Sequence, residues 1–158
     1  MCLVLQACGY QYSGSQSLPT GVDTIAIHVV TNRSRQTGLE VTLTNALVNE
    51  FIQHRNGMVV DETRAQSVLS GTILSMETNV VSRSSERIVA QREVTITLSL
   101  TLKNKSGDII WRDNYIRAKQ SYSVSSDAIT TESNRRRAID RAVQRLAENS
   151  YNGIIHGF

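Results

Sequence analysis

Residues 88–103 constrain the fold more than any other part of the chain. Ile88, Ala90, Val94, Ile96, Leu98, Leu100 and Leu102 share the even positions, with Arg92 the only polar member. Val89, Gln91, Glu93, Thr95, Thr97, Ser99, Thr101 and Lys103 share the odd ones. Successive side chains of a strand point to opposite faces, so this is one long strand with a dry face and a wet face. That pattern belongs to an antiparallel sheet covered on one side only. Asn104-Lys105-Ser106-Gly107-Asp108 then reads as a hairpin loop. A return strand follows over residues 109–122, carrying Trp111, Tyr115 and Tyr122. Residues 65–81 are also β-rich, with Gly71 marking a bulge or a close approach.

The dry face needs a cover, and two segments have the helical period. Leu39, Leu43, Leu47 and Phe51 recur at i+4, with Ala46 filling the stripe. Thr37-Gly38-Leu39-Glu40 ahead of them reads as a capping box, and Asn56-Gly57 behind them as a stop. Over residues 127–149, Ala138, Ile139, Ala142, Val143, Leu146 and Ala147 form a second apolar stripe. Thr24 to Val30 reads as a first strand with Ile25, Ile27 and Val29 on one face. The expected order is strand, helix, three strands, helix. This is an α+β two-layer sandwich: two helices on one face of a four-stranded, mostly antiparallel sheet. At 158 residues the chain suits one domain, placed at 23–158.

The first residues carry a different signal. Leu5-Gln6-Ala7-Cys8, at the end of an apolar run, has the form of a lipobox, in which Cys8 would be acylated after cleavage. Residues 1–7 would then be the end of a signal peptide whose charged n-region lies further upstream, since no Lys or Arg precedes Arg33. The other reading of the run is a short apolar strand. Residues 8–22, rich in Ser, Gly and Gln and holding the one proline, Pro19, read as a tether. Cys2 and Cys8 are the two cysteines, so a processed domain would keep no free thiol.

Catalytic patterns are not found. His28, His54 and His156 stand at no metal-ligand spacing, and no phosphate loop or nucleophile elbow occurs. No metal, cofactor or enzymatic activity is expected. A net charge of +3 is compatible with an anionic partner but too small to imply nucleic acid. The cations are better placed than they are numerous. Arg83, Arg87 and Arg92 flank the turn before the long strand, and Arg117 and Lys119 lie on the return strand. Adjacent strands would bring these to one end of the sheet, where guanidinium forks suit phosphate. Arg137, Arg141 and Arg145 recur at i+4 and i+8 and make a cationic stripe on the last helix. Arg135 and Arg136 add charge to its expected first turns, where acid is favoured, which points to a partner supplying negative charge. The alternative is a solvated face with local pairs from Glu132, Asp140 and Glu148.

Cys8-Gly9-Tyr10-Gln11-Tyr12-Ser13-Gly14, then Leu18-Pro19 and Thr24-Ile25-Ala26-Ile27, resemble the LptE family of lipopolysaccharide-assembly lipoproteins. So do Thr37-Gly38-Leu39-Glu40, Leu43-Thr44-Asn45-Ala46-Leu47, Leu69-Ser70-Gly71-Thr72 and the run from Arg137-Ala138-Ile139 to Arg145-Leu146-Ala147-Glu148. The resemblance spans nearly the whole chain in order. It implies two helices on a four-stranded sheet and an outer-membrane lipoprotein acylated at Cys8. It also implies a plug seated on the periplasmic side of an LptD-like β-barrel, assisting barrel assembly and lipopolysaccharide delivery. Lipopolysaccharide binding would fall to Arg83 and Arg87, in the comparable turn, with Arg92 and Lys119. The stripe Arg137, Arg141 and Arg145 would face the partner. Two other readings stand beside this one: a periplasmic lipoprotein that activates an envelope enzyme or serves a secretion pore, and a soluble enzyme with a convergent polar pocket.

Overall fold

The computed structural model describes residues 23–82 and 91–156. The elements run β1 (Ile25–Ile27), β2 (Thr31–Asn32), α1 (Leu39–His54), β3 (Ser67–Ser82), β4 (Gln91–Asn104), β5 (Ile109–Ser123) and α2 (Ala128–His156). β3, β4 and β5 form an antiparallel meander. α2 packs over β4 and β5, and α1 lies beside it against β1 and β2. The α+β sandwich is therefore present.

Its core is the dry row of β4. Val94, Ile96, Leu98, Leu100 and Leu102 are each at most 1% exposed. Burying a side chain of this size contributes ~1.5–3 kcal/mol, so the row is a large part of what holds the layers together. Leu43, Leu47 and Phe51 of α1 and Ala142, Val143, Leu146 and Ala147 of α2 close over it in a single core. Ile88 and Ala90, the first members of the same period, lie outside the described residues. Gly71 marks a close approach. A Cβ there would stand 2.4 Å from Leu100 Cδ2 and 3.1 Å from the Ser99 carbonyl oxygen. The bulges of β3 fall elsewhere, at Ile73/Ser75 and Val80/Ser82.

Four local expectations change. The sheet has five strands, because the expected strand Thr24 to Val30 gives way to β1 and β2, and both pair with β3 in parallel. A parallel neighbour needs a crossover, and α1 supplies it. From Ile27 to Thr31 this edge advances four residues while β3 advances three, Leu69 to Thr72. The extra residue reverses the faces: Val29 is 69% exposed and Val30 is buried. Val30 N–H leaves the ladder and donates to Thr44 Oγ1 at 3.0 Å.

The capping box does not form. Gly38, at φ 83°, precedes α1 with no side-chain cap. Glu40 instead accepts from Asn32 Nδ2 at 2.6 Å, fastening β2 to the helix. Hydrogen bonds from its own backbone amide and then from Asn32 hold the Glu40 carboxyl below its usual pKa.

α2 runs to His156, past the expected end near Asn149. The added turns bury Ser150, Tyr151 and Ile154. Tyr151 meets Phe51 edge-on at 5.1 Å and stacks on His54 at 4.1 Å. Gly153 lets Trp111 lie close, since a Cβ there would be 3.2 Å from the Trp111 ring. Because α2 begins at Ala128, Arg135 and Arg136 are clear of its first turn, and both reach Glu132, at 3.4 and 3.3 Å. Glu132 meets both charges locally, so their placement needs no outside negative charge. Asp127 supplies the start of the helix, accepting from the Ile129 and Thr130 amides at 3.3 and 2.8 Å.

Two outcomes follow from this packing. Gly71→Ala should cost ~1–3 kcal/mol in urea unfolding, because Leu100 must move within a filled core. The cost should shrink on a Leu100→Ala background, and equal costs on both would place the strain elsewhere. Asp127→Ala should lower the melting temperature at neutral pH. Bonds from Thr130 and the Thr130 and Ile129 amides depress the folded carboxyl below its ordinary value of 3.8. Its contribution is thus complete above that value and fades as pH falls through the folded pKa. Melting curves of the two proteins should converge in acid, and a gap independent of pH would deny the cap its charge.

Candidate partner-binding surface

β5 is the last strand of the sheet, so one of its edges has no strand beside it. Lys119, Ser121 and Ser123 stand opposite Thr95, Glu93 and Gln91. Their carbonyls turn outward, and each is met by a side chain. Asn134 Nδ2 donates to Ser123 O at 2.9 Å, Gln120 Nε2 to Ser121 O at 3.2 Å, and Arg145 Nη1 to Lys119 O at 3.3 Å. Two of the three donors come from α2, so the helix both covers the sheet and seals its rim. The Gln120 amide is committed by this contact: its Oε1 is buried with no hydrogen-bond partner among the described residues. Neither Gln120 nor Asn134 was marked by the sequence, because an edge cap needs only a side-chain amide and a register.

Above this edge runs the arginine stripe. Arg137, Arg141 and Arg145 are all exposed. Arg137 and Arg141 line a cleft of about 270 Å³ with Ser121, Tyr122, Ser123, Asn134 and Ala138. Arg141 and Arg145 line a second, with Gln120, Asp140, Gln144 and Glu148. Arg55, Arg64, Arg135 and Arg136 each reach a carboxylate. Among the described residues the three stripe arginines reach none: Arg137 donates to Asn134 Oδ1 at 2.6 Å, and Arg145 to the backbone.

The other predicted cations separate. Arg92 is exposed, and its cross-strand partner Tyr122 lines the Arg137–Arg141 cleft, so Arg92 falls on the helix side of the sheet near the stripe. Lys119 projects from the opposite face and pairs with Glu93 at 3.4 Å. Arg117 is on that face too, its guanidinium 5.8 Å from the ring of Tyr115, which is 68% exposed. Arg92 and Lys119 therefore do not form one cluster. Arg83, Arg87 and Cys8 lie outside the described residues.

The helix-free face of β4 is less wet than its pattern implies. Thr95, Ser99 and Thr101 are half-buried and Thr97 is only 7% exposed, between Ser75 and Arg117. His28 pairs with Glu62 at 3.1 Å and His54 with Glu50 at 3.0 Å, both close to the surface. Among the described residues no group of three His, Cys, Asp or Glu side chains could hold a metal ion, and no helix is long and apolar enough to cross a membrane.

Comparison with known proteins gives a family and a fold. The rare lipoprotein B of Shewanella oneidensis is 14% identical, with a TM-score of 0.56, over 81% of this chain and 92% of that one. A minor lipoprotein of Acinetobacter baumannii is 12% identical, with a TM-score of 0.54, over 86% and 93%. At such identities the likeness is one of fold. None of the curated proteins matches the chain in sequence. The family model described as LptE, lipopolysaccharide-assembly, matches residues 22–152. With its sandwich and nearly all of its length accounted for, the chain belongs to the LptE lipopolysaccharide-assembly family.

Proposed function

We propose that this protein is the lipid-anchored plug of an outer-membrane lipopolysaccharide translocon, held at the periplasmic face by an acylated Cys8. It seats in an LptD-like β-barrel, assists the assembly of that barrel, and helps pass lipopolysaccharide to the outer leaflet. Residues 1–7 are the end of the signal, 8–22 the tether and 23–158 the working domain. Family membership over residues 22–152 carries this reading. Two surfaces support it: the Ser/Thr face of the sheet, which suits a polar barrel lumen, and the exposed stripe Arg137, Arg141 and Arg145. Arg83, Arg87 and Arg92 would receive the phosphates of lipopolysaccharide. Lys119, paired with Glu93 on the other face, would act apart from them. No reaction is assigned; the protein holds and positions.

Cys8→Ala, expressed behind a complete signal, should move the protein from the membrane to the soluble fraction; unchanged fractionation would end the lipoprotein reading. The acylated protein, extracted in mild detergent, should bring down a large β-barrel in stable complex. Recovery of an envelope enzyme or a secretion pore instead would favour the other lipoprotein reading. Charge reversal at Arg83 and Arg87 should weaken lipopolysaccharide binding with the melting temperature nearly unchanged. If binding survives, the site belongs to Arg92 and its neighbours on α2.

A further inference from the structure

The β5 edge is chemically one-sided. A strand that adds to a sheet needs donors and acceptors in alternation. At Lys119, Ser121 and Ser123 the outward acceptors are already taken, by Arg145, Gln120 and Asn134. The outward N–H groups of the same residues meet no side-chain acceptor among the described residues. Beside them stand Arg137, Arg141 and Arg145, which carry only donors and reach no carboxylate there. Edge and helix together make a rail of donors with positive charge. Capping the carbonyls discourages a second strand from pairing and leaves a surface that accepts anions.

The rail also has a period. Outward positions on β5 recur at about 6.8 Å, and arginines at i, i+4 and i+8 at about 6 Å along α2. The two rows run side by side, since Asn134 reaches Ser123 and Arg145 reaches Lys119. An extended chain with acidic side chains at alternate positions presents carboxylates at the same spacing as β5. Asp140 and Glu148 line the Arg141–Arg145 cleft as well, while the Arg137–Arg141 cleft beside Ser121 and Ser123 is lined by no carboxylate. We infer that the β5 edge and the α2 arginines are a docking rail for an extended protein segment carrying acidic residues at every second position. This rests on the reading of α2 as facing a protein partner and names the chemistry of that partner.

The test uses the full chain and a capped hexapeptide alternating Thr and Glu. In amide-resolved NMR titration, the peptide should shift Lys119, Ser121 and Ser123 and the side chains of Arg141 and Arg145. Arg141→Gln, which leaves the Arg145 contact with Lys119 O in place, should weaken binding by about threefold or more with an unchanged melting temperature. A peptide of the same composition with its three Glu contiguous should bind more weakly, and one alternating Thr and Lys should not bind. Equal binding of the contiguous peptide would reduce the rail to unspecific charge and overturn the proposal. So would inorganic phosphate shifting the same amides as strongly, or phosphatidylglycerol vesicles protecting them while the peptide does not. Failure of the peptide alongside intact barrel co-purification would remove the rail and leave the plug; the reverse result would remove the plug.

Discussion

The row Val94, Ile96, Leu98, Leu100 and Leu102 sets the terms for everything around it. Five consecutive inward positions, all large and aliphatic, require a cover as long as the strand. α2 supplies it with small residues at the contact, Ala138, Ala142 and Ala147, which let the helix axis come down close to the sheet. The same economy recurs twice at the margins: Gly71 gives way to Leu100 and Gly153 to Trp111. Removing side chains at chosen points is how this layer pair reaches close packing.

The two rims of the sheet meet the demand for hydrogen bonds differently. On the β1–β2 side the edge is short and broken, with Val30 N–H diverted to Thr44. On the β5 side it is long, and side chains stand in for a neighbouring strand. Both solutions deny another molecule a long regular edge. The chain gains by this, because an open fifteen-residue strand invites unwanted pairing.

The meander, the helix stripes and the turn at Gly107 could be read from the sequence because each rests on a local period or a local turn. Leu39, Leu43, Leu47 and Phe51 needed no tertiary knowledge to be placed inside. What escaped depended on register between distant segments. One additional residue between Ile27 and Thr31 put Val29 outside and Val30 inside, and alternation alone does not reveal an insertion. Glu40 serves both its own helix start and Asn32, which only the pairing of β2 brings near. The split of Arg92 from Lys119 likewise follows from the pairing of β4 with β5: odd and even positions of adjacent strands go to opposite faces. Cation spacing along the chain carries no such information. The capped edge was the least legible part, since Gln120 and Asn134 act through geometry that only the packed helix creates.

The helices also have a shared direction. Arg135, near the start of α2, donates to Gln36 just before α1, at 2.6 Å. Tyr151, near the end of α2, meets Phe51 and His54 at the end of α1. The two helices therefore run parallel, about 24 Å and 43 Å long, and are pinned at both ends. Their macrodipoles add instead of cancelling, and both positive ends point the same way. Glu40 and Asp127, each with a lowered pKa, sit at those two ends. The backbone alone thus gives this pole of the molecule a preference for anions, and the arginines sharpen a potential that the topology has already set.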